Sequence, residues 1–113
     1  MISTKTNNKN MVKTAVKIVV EKDGAKVAEM VLTPIGVAKF EVESQAVQLS
    51  ATPTSAEVLI DVGFVLGLTV LYGTKEVGID RRNEDGSATG TMIHRGDGVV
   101  KYDYGVVVRI TWA

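Results

Sequence analysis

A chain of 113 residues, 45% of them hydrophobic, is long enough for one folded domain and too apolar for an intrinsically disordered one. It has no cysteine and one histidine, His94, which excludes a disulfide framework, thiolate chemistry and any multi-histidine metal site. Its 13 basic and 13 acidic residues cancel, yet residues 1–20 hold Lys5, Lys9, Lys13 and Lys17 and no acid, so a basic start precedes an acidic remainder.

Residues 1–11 are polar, show no periodicity and lack the apolar core of a secretion signal. They read as an extended N-terminal arm, with a single β domain over 12–113 and a cytoplasm-like place of synthesis. Val12, Val16, Ile18 and Val20 then share one side of a strand, opposite Lys13, Lys17 and Glu21. Lys22-Asp23-Gly24 is a turn signal and Val27 to Leu32 the return strand. Pairing even with even, Ile18 with Ala28 and Val16 with Met30, keeps both apolar faces together. That register predicts a three-residue loop in preference to a two-residue Asp-Gly turn.

Thr33-Pro34-Ile35-Gly36 breaks the chain, Val37 to Glu43 alternates again, and Val47, Leu49 and Ala51 mark a short strand ending near Thr52-Pro53. The dominant stretch follows. From Val58 to Tyr72 every even position is apolar: Val58, Ile60, Val62, Phe64, Leu66, Leu68, Val70 and Tyr72. A two-residue repeat of that length is a strand signature. A helix opened by the Thr54-Ser55-Ala56-Glu57 capping box is the weaker reading, because Gly63 and Gly67 disfavour it and its apolar residues would surround it.

Gly73 to Glu76 turns the chain, Val77 to Asp80 is a short strand, and Arg81 to Ser87 reads as an exposed loop in which Arg81 and Arg82 neutralise Glu84 and Asp85. Ala88 to His94 is a strand interrupted by Gly90, with His94 capping the turn at Arg95-Gly96-Asp97-Gly98. A second long run closes the chain, with Val100, Tyr102, Tyr104, Val106, Val108, Ile110 and Trp112 at even positions. The fold expected is all-β, an antiparallel β-sandwich or partly closed small β-barrel of about seven to nine strands. As single strands the two long runs would reach roughly 45–50 Å. A domain of this size is only about 26–30 Å across, so they must bend at Gly63, Gly67 and Gly105 or protrude into a neighbour.

Catalytic apparatus is scarce. Ser87, His94 and Asp97 lie in turn-rich sequence without a nucleophile elbow. Asp80, Glu84 and Asp85 match a calcium loop in composition but place Arg82 at the second ligand position. No phosphate loop is present, and no metal or cofactor is implied. Tyr102 and Tyr104 would share one face of a strand while Lys101 and Arg109 take the other, a poor arrangement for stacking bases beside cations.

The function this favours is a non-catalytic structural protein that self-assembles or joins a larger symmetric assembly, such as a coat, cement or tail component of a virion or phage. Its partners are then copies of itself or another structural protein, with neither a membrane nor a small-molecule substrate. Lys5, Lys9 and Lys13 on the arm and the apolar odd positions Leu59, Val65, Leu71 and Val107 are the candidate interface. The alternative is a monomeric binding module, inhibitor or adaptor, that uses Arg81, Arg82, Arg95 and Asp97 in its loops. A third is nucleic-acid binding through the basic arm.

Overall fold

A computed structural model of the protein describes residues 14–113, so the arm at 1–11 and Lys5, Lys9 and Lys13 lie outside the described residues. The rest is all-β, with ten strands where seven to nine were expected: β1 (Val16–Lys22), β2 (Ala25–Thr33), β3 (Gly36–Val42), β4 (Ala46–Ala51), β5 (Ser55–Asp61), β6 (Val65–Leu71), β7 (Glu76–Arg82), β8 (Ala88–Arg95), β9 (Gly98–Lys101) and β10 (Val106–Trp112). They form two antiparallel five-stranded sheets. The first has the order β3-β2-β1-β10-β9 and the second β4-β5-β6-β7-β8.

Each strand pairs with its sequence neighbour except at two places, β3 to β4 and β8 to β9, where the chain passes from one sheet to the other. β1 closes on β10, with Val16 opposite Trp112 and Ile18 opposite Ile110. The result is a flattened ring of strands opened at two seams, a sandwich rather than a closed barrel. Because every strand reverses, the turns at 23–24, 43–45, 62–64, 83–87 and 102–105 gather at one end, here the upper end. Those at 34–35, 52–54, 72–75 and 96–97 gather at the lower end.

The two long runs are hairpins, which corrects the reading of them as single strands. Asp61 pairs with Val65 across a Val62-Gly63-Phe64 turn, and Lys101 pairs with Val107. The Asp61 carboxylate accepts the Gly63 N–H at 2.9 Å, and Gly63 sits at φ 97, both features of a tight reversal. Tyr104 and Gly105 take φ 62 and 76 in the other turn. Neither run bends within a strand or protrudes. The parity holds along the strands, because a loop with an odd number of residues pairs even with even, but fails in the turns, where Phe64 and Tyr102 are half-buried and Tyr104 is exposed. Val58, Ile60, Val62, Leu66, Leu68, Val70 and Tyr72 are buried, as are Val100, Val106, Val108, Ile110 and Trp112.

The first hairpin departs from expectation in a related way. Lys22 pairs with Ala25 across a two-residue Asp23-Gly24 turn in which both residues have positive φ, the conformation that Asp-Gly supports best. A bulge between Val20 and Glu21 then shifts the register by one. Ile18 therefore faces Met30, not Ala28, and Val16 faces Leu32, not Met30. The even faces still coincide, since Val16, Ile18, Val20, Ala28, Met30 and Leu32 all enter the core.

On β7 the parity inverts. Leu68 pairs with Ile79 and Val70 with Val77, so odd positions of β7 face the core and Asp80 and Arg82 face outward. Arg81 and Arg82 end this strand, which corrects their placement in the loop; the polar loop is confined to 83–87. Tyr72 and Trp112 meet edge to face at 6.5 Å at the lower end and tie the two sheets together.

Candidate functional site

The outer faces of the two sheets differ in chemistry. On the first sheet, Glu29 lies among Lys26 at 2.8 Å, Lys39 at 3.1 Å and Lys17 at 3.6 Å, while Arg109 pairs with Glu21 at 2.9 Å. Hydrogen bonds from Lys26 and then Lys39 hold the Glu29 carboxyl down at about 2. Val19, Val31 and Val107 are half-buried within that lattice of charges, and Val99 on the edge strand β9 is 52% exposed beside Arg109. The centre of this face is a self-neutralised, water-facing surface.

On the second sheet the outward positions of β5 and β6 include Leu59, Val65, Thr69 and Leu71, and β8 adds Thr91 and Ile93. Leu71 is 42% exposed and Ile93 67% exposed. Between them Gly78 leaves the floor open, and Thr69, Thr91, Leu71 and Ile93 wall a shallow, largely apolar furrow of about 200 Å³. Val47, pushed outward at a bulge between Ala46 and Gln48 in the edge strand β4, is 56% exposed beside Leu59 and Val65.

Three of the sequence candidates, Leu59, Val65 and Leu71, therefore share one surface. Val107 does not join them. It pairs with Glu21 on the outer face of the other sheet, so the four do not form one patch. Ile93 and Val47 were missed, because their strands are short, interrupted or bulged and their parity was not legible. The lysines of the arm lie outside the described residues.

The loop candidates are dispersed and mostly engaged. Arg82 lies 3.2 Å from Glu57 and 3.0 Å from Asp80, and it donates to the Gly86 carbonyl at 3.2 Å. Arg95 forks onto Glu76, with Nε at 3.0 Å, and this contact holds the Glu76 carboxyl below its ordinary range. Asp97 accepts the backbone N–H of Trp112 at 2.7 Å. Both charged ends of Arg95-Gly96-Asp97 are thus bound within the fold. Arg81 stands apart from them at the upper end, over the rings of Phe64 and Tyr104. Neither Arg81 nor Arg82 neutralises Glu84 or Asp85, which corrects that expectation.

Ser87, in the loop before β8, and His94, near the far end of β8, lie about 20 Å apart, and no triad forms. His94 Nε2 contacts the Asp97 carbonyl at 3.0 Å, the turn-capping role expected of it. Asp85 accepts both the N–H and the hydroxyl of Ser87, at 2.9 and 2.6 Å, and Asp80 is buried on β7. Among the described residues no group of three or more His, Cys, Asp or Glu side chains is placed to hold a metal ion. No protein-family model matches this chain, and no curated protein or solved structure matches it.

Proposed function

We propose that this chain is a non-catalytic structural domain that associates with copies of itself through the outer face of its second sheet. The carrying observation is the contrast between the two outer faces. One is laced with ion pairs around Glu29 and exposes Val99 at its edge, while the other leaves Leu71 and Ile93 in water around an apolar furrow. Full burial of a wholly exposed side chain of this size is favourable by about 1.5–3 kcal/mol, and covering Leu71 and Ile93, 42% and 67% exposed, brings a corresponding fraction that offsets part of the association entropy.

A second copy is the occupant that suits the charges. The face carries Glu57–Arg82 toward the upper end and Glu76–Arg95 toward the lower end, with apolar residues beside both. A two-fold rotation about its centre sets one mixed-sign pair against the other, as an isologous interface requires. The edge strands β4 and β8 flank the face and offer unpaired backbone groups to the same neighbour.

Sedimentation velocity and light scattering test this reading. The wild type is expected to be a dimer or larger at micromolar concentration. The double variant Leu71→Glu, Ile93→Glu is expected to be a monomer with an unchanged far-UV spectrum, and Val107→Glu on the opposite face to leave association intact. A wild type that stays monomeric at the highest soluble concentration sinks the reading.

A further inference from the structure

The upper end of the sandwich brings together residues far apart in sequence. The β5–β6 turn supplies Phe64, the end of β7 supplies Arg81, and the β9–β10 connection supplies Tyr102 and Tyr104. Phe64 stacks on Tyr102 with centroids 5.9 Å apart and meets Tyr104 edge-on at 5.6 Å. The Arg81 guanidinium carbon lies 5.3 Å from the Phe64 centroid and 5.9 Å from that of Tyr104. The cation beside the rings comes from β7, not from Lys101 or Arg109 of the same run.

Two features of the cluster exceed what a turn needs. Arg82, Arg95 and Arg109 each pair with a carboxylate, whereas Arg81 forms no ion pair among the described residues. Its plane is held by rings and the edges of its fork are left to solvent. Tyr104 is 64% exposed at φ 62, in a region that glycine or asparagine occupies with less strain. An aromatic side chain held there meets Phe64 along one edge and presents most of its ring to water.

Arg81 also divides two depressions. One, of about 380 Å³, is bounded by Asp61, Phe64, Asn83 and Glu84; the other, of about 280 Å³, by Met92, Lys101, Tyr102 and Asp103. Donors and acceptors are mixed around the rings: Arg81 and Lys101 donate, and Asp61, Glu84 and Asp103 accept, while the Asn83 amide is held by Ser87 and Thr89. The carboxylates repel a polyanion such as a nucleic acid, and a wholly apolar ligand would strip water from the charged rim without replacing its hydrogen bonds.

We propose that this upper-end cluster binds a neutral oligosaccharide. A pyranose packs its C–H face on an aromatic ring while its hydroxyls both donate to carboxylates and accept from a guanidinium. The exposed Tyr104 ring forms the platform with Phe64 bracing its edge, Arg81 directs its free N–H groups at ring or hydroxyl oxygens, and Asp61 and Asp103 accept from hydroxyls on either side. The larger depression reaches Val65 and Arg82 on the outer face of the second sheet, so binding is measured on the Leu71→Glu, Ile93→Glu variant as well as on wild type, which separates this site from self-association.

The test is a titration of the full chain, followed by amide NMR and tyrosine fluorescence. The probes are cellohexaose, xylohexaose, maltohexaose and chitohexaose, with single-stranded poly(dT) and polygalacturonate as polyanions. At least one neutral probe is expected to shift the Phe64, Arg81 and Tyr104 resonances with micromolar to millimolar affinity. Tyr104→Asn, which suits the left-handed turn and keeps the fold, is expected to weaken binding by about tenfold or more, roughly the loss of one good stacking contact. Arg81→Gln is expected to weaken it with the tyrosine platform intact. The proposal is overturned if no neutral probe shifts these residues at millimolar concentration, if only a polyanion does, or if Tyr104→Asn binds as well as wild type. It is equally overturned if no neutral probe binds and Tyr104→Asn changes only the oligomeric state, since the cluster is then a protein contact.

Discussion

Gly67 on β6 sits directly opposite Asp80 on β7, and a Cβ at Gly67 would occupy the position of the Asp80 carboxylate. The missing side chain lets that carboxylate lie over the neighbouring strand, 3% exposed as a residue, with Arg82 drawn alongside it at 3.0 Å. The Asp80–Arg82 contact is an ion pair without hydrogen-bond alignment, so its strength rests on close approach in a poorly hydrated spot. Through Glu57 and the Gly86 carbonyl, Arg82 extends the network across β5, β6 and β7 and into the polar loop. The upper half of the proposed interface is built on this glycine.

Gly67→Ala therefore tests more than loop freedom. Moving Asp80 separates a buried charge from its partner, so the variant is expected to lose about 2–4 kcal/mol in chemical denaturation. Gly73→Ala is the control, because nothing lies within 4 Å of its added methyl and its φ is ordinary. It is expected to fall within about 0.5 kcal/mol of wild type. Equal losses in the two variants would remove the Asp80 account.

Acid stability is expected to follow Glu29. Its folded value of about 2 lies below its ordinary 4.5, so its contribution is fully present above the ordinary carboxylate range and is lost as pH falls from there toward 2. Melting curves of wild type and Glu29→Gln should differ at neutral pH and converge as the pH approaches 2. A gap that stays constant across that window would show that the Lys26 and Lys39 contacts do not couple to folding.

The lower end offers a local test. Asp97→Ala removes the acceptor of the Trp112 N–H at 2.7 Å and leaves that part-buried donor without a partner. The expected cost is about 1–2 kcal/mol, with faster hydrogen exchange at the Trp112 amide than at amides in the middle of β10. An unchanged exchange rate at Trp112 would count against this contact.

At the upper end, Asp23 N–H donates to the Gly105 carbonyl at 2.9 Å, and a Cβ on Gly105 would strike the Asp23 carboxylate. Gly24 has a similar positive φ, 85 against 76, but open space around it. Gly24→Ala should then cost about 1 kcal/mol of backbone strain, and Gly105→Ala about 1–2 kcal/mol more, because the two turns separate. Matching losses would mean that the turns do not support one another.

The alternation of apolar residues by itself determined the all-β class, the exclusion of the helix at 54–72 and most of the core, since a period of two fixes which side chains share a face. It left open where the long runs reverse, because even positions stay together in a straight strand and in a hairpin with an odd loop alike. Asp61-Val62-Gly63 and Tyr104-Gly105 were the local turn signals, masked by the apolar residues around them. Only the tertiary structure decided that Leu71 and Ile93 lie on one face while Val107 lies on the other, and that Phe64, Arg81 and Tyr104 meet. Those relations depend on strand order and bulges, where a one-residue shift turns a side chain over, and nothing local to either residue encodes the partner strand.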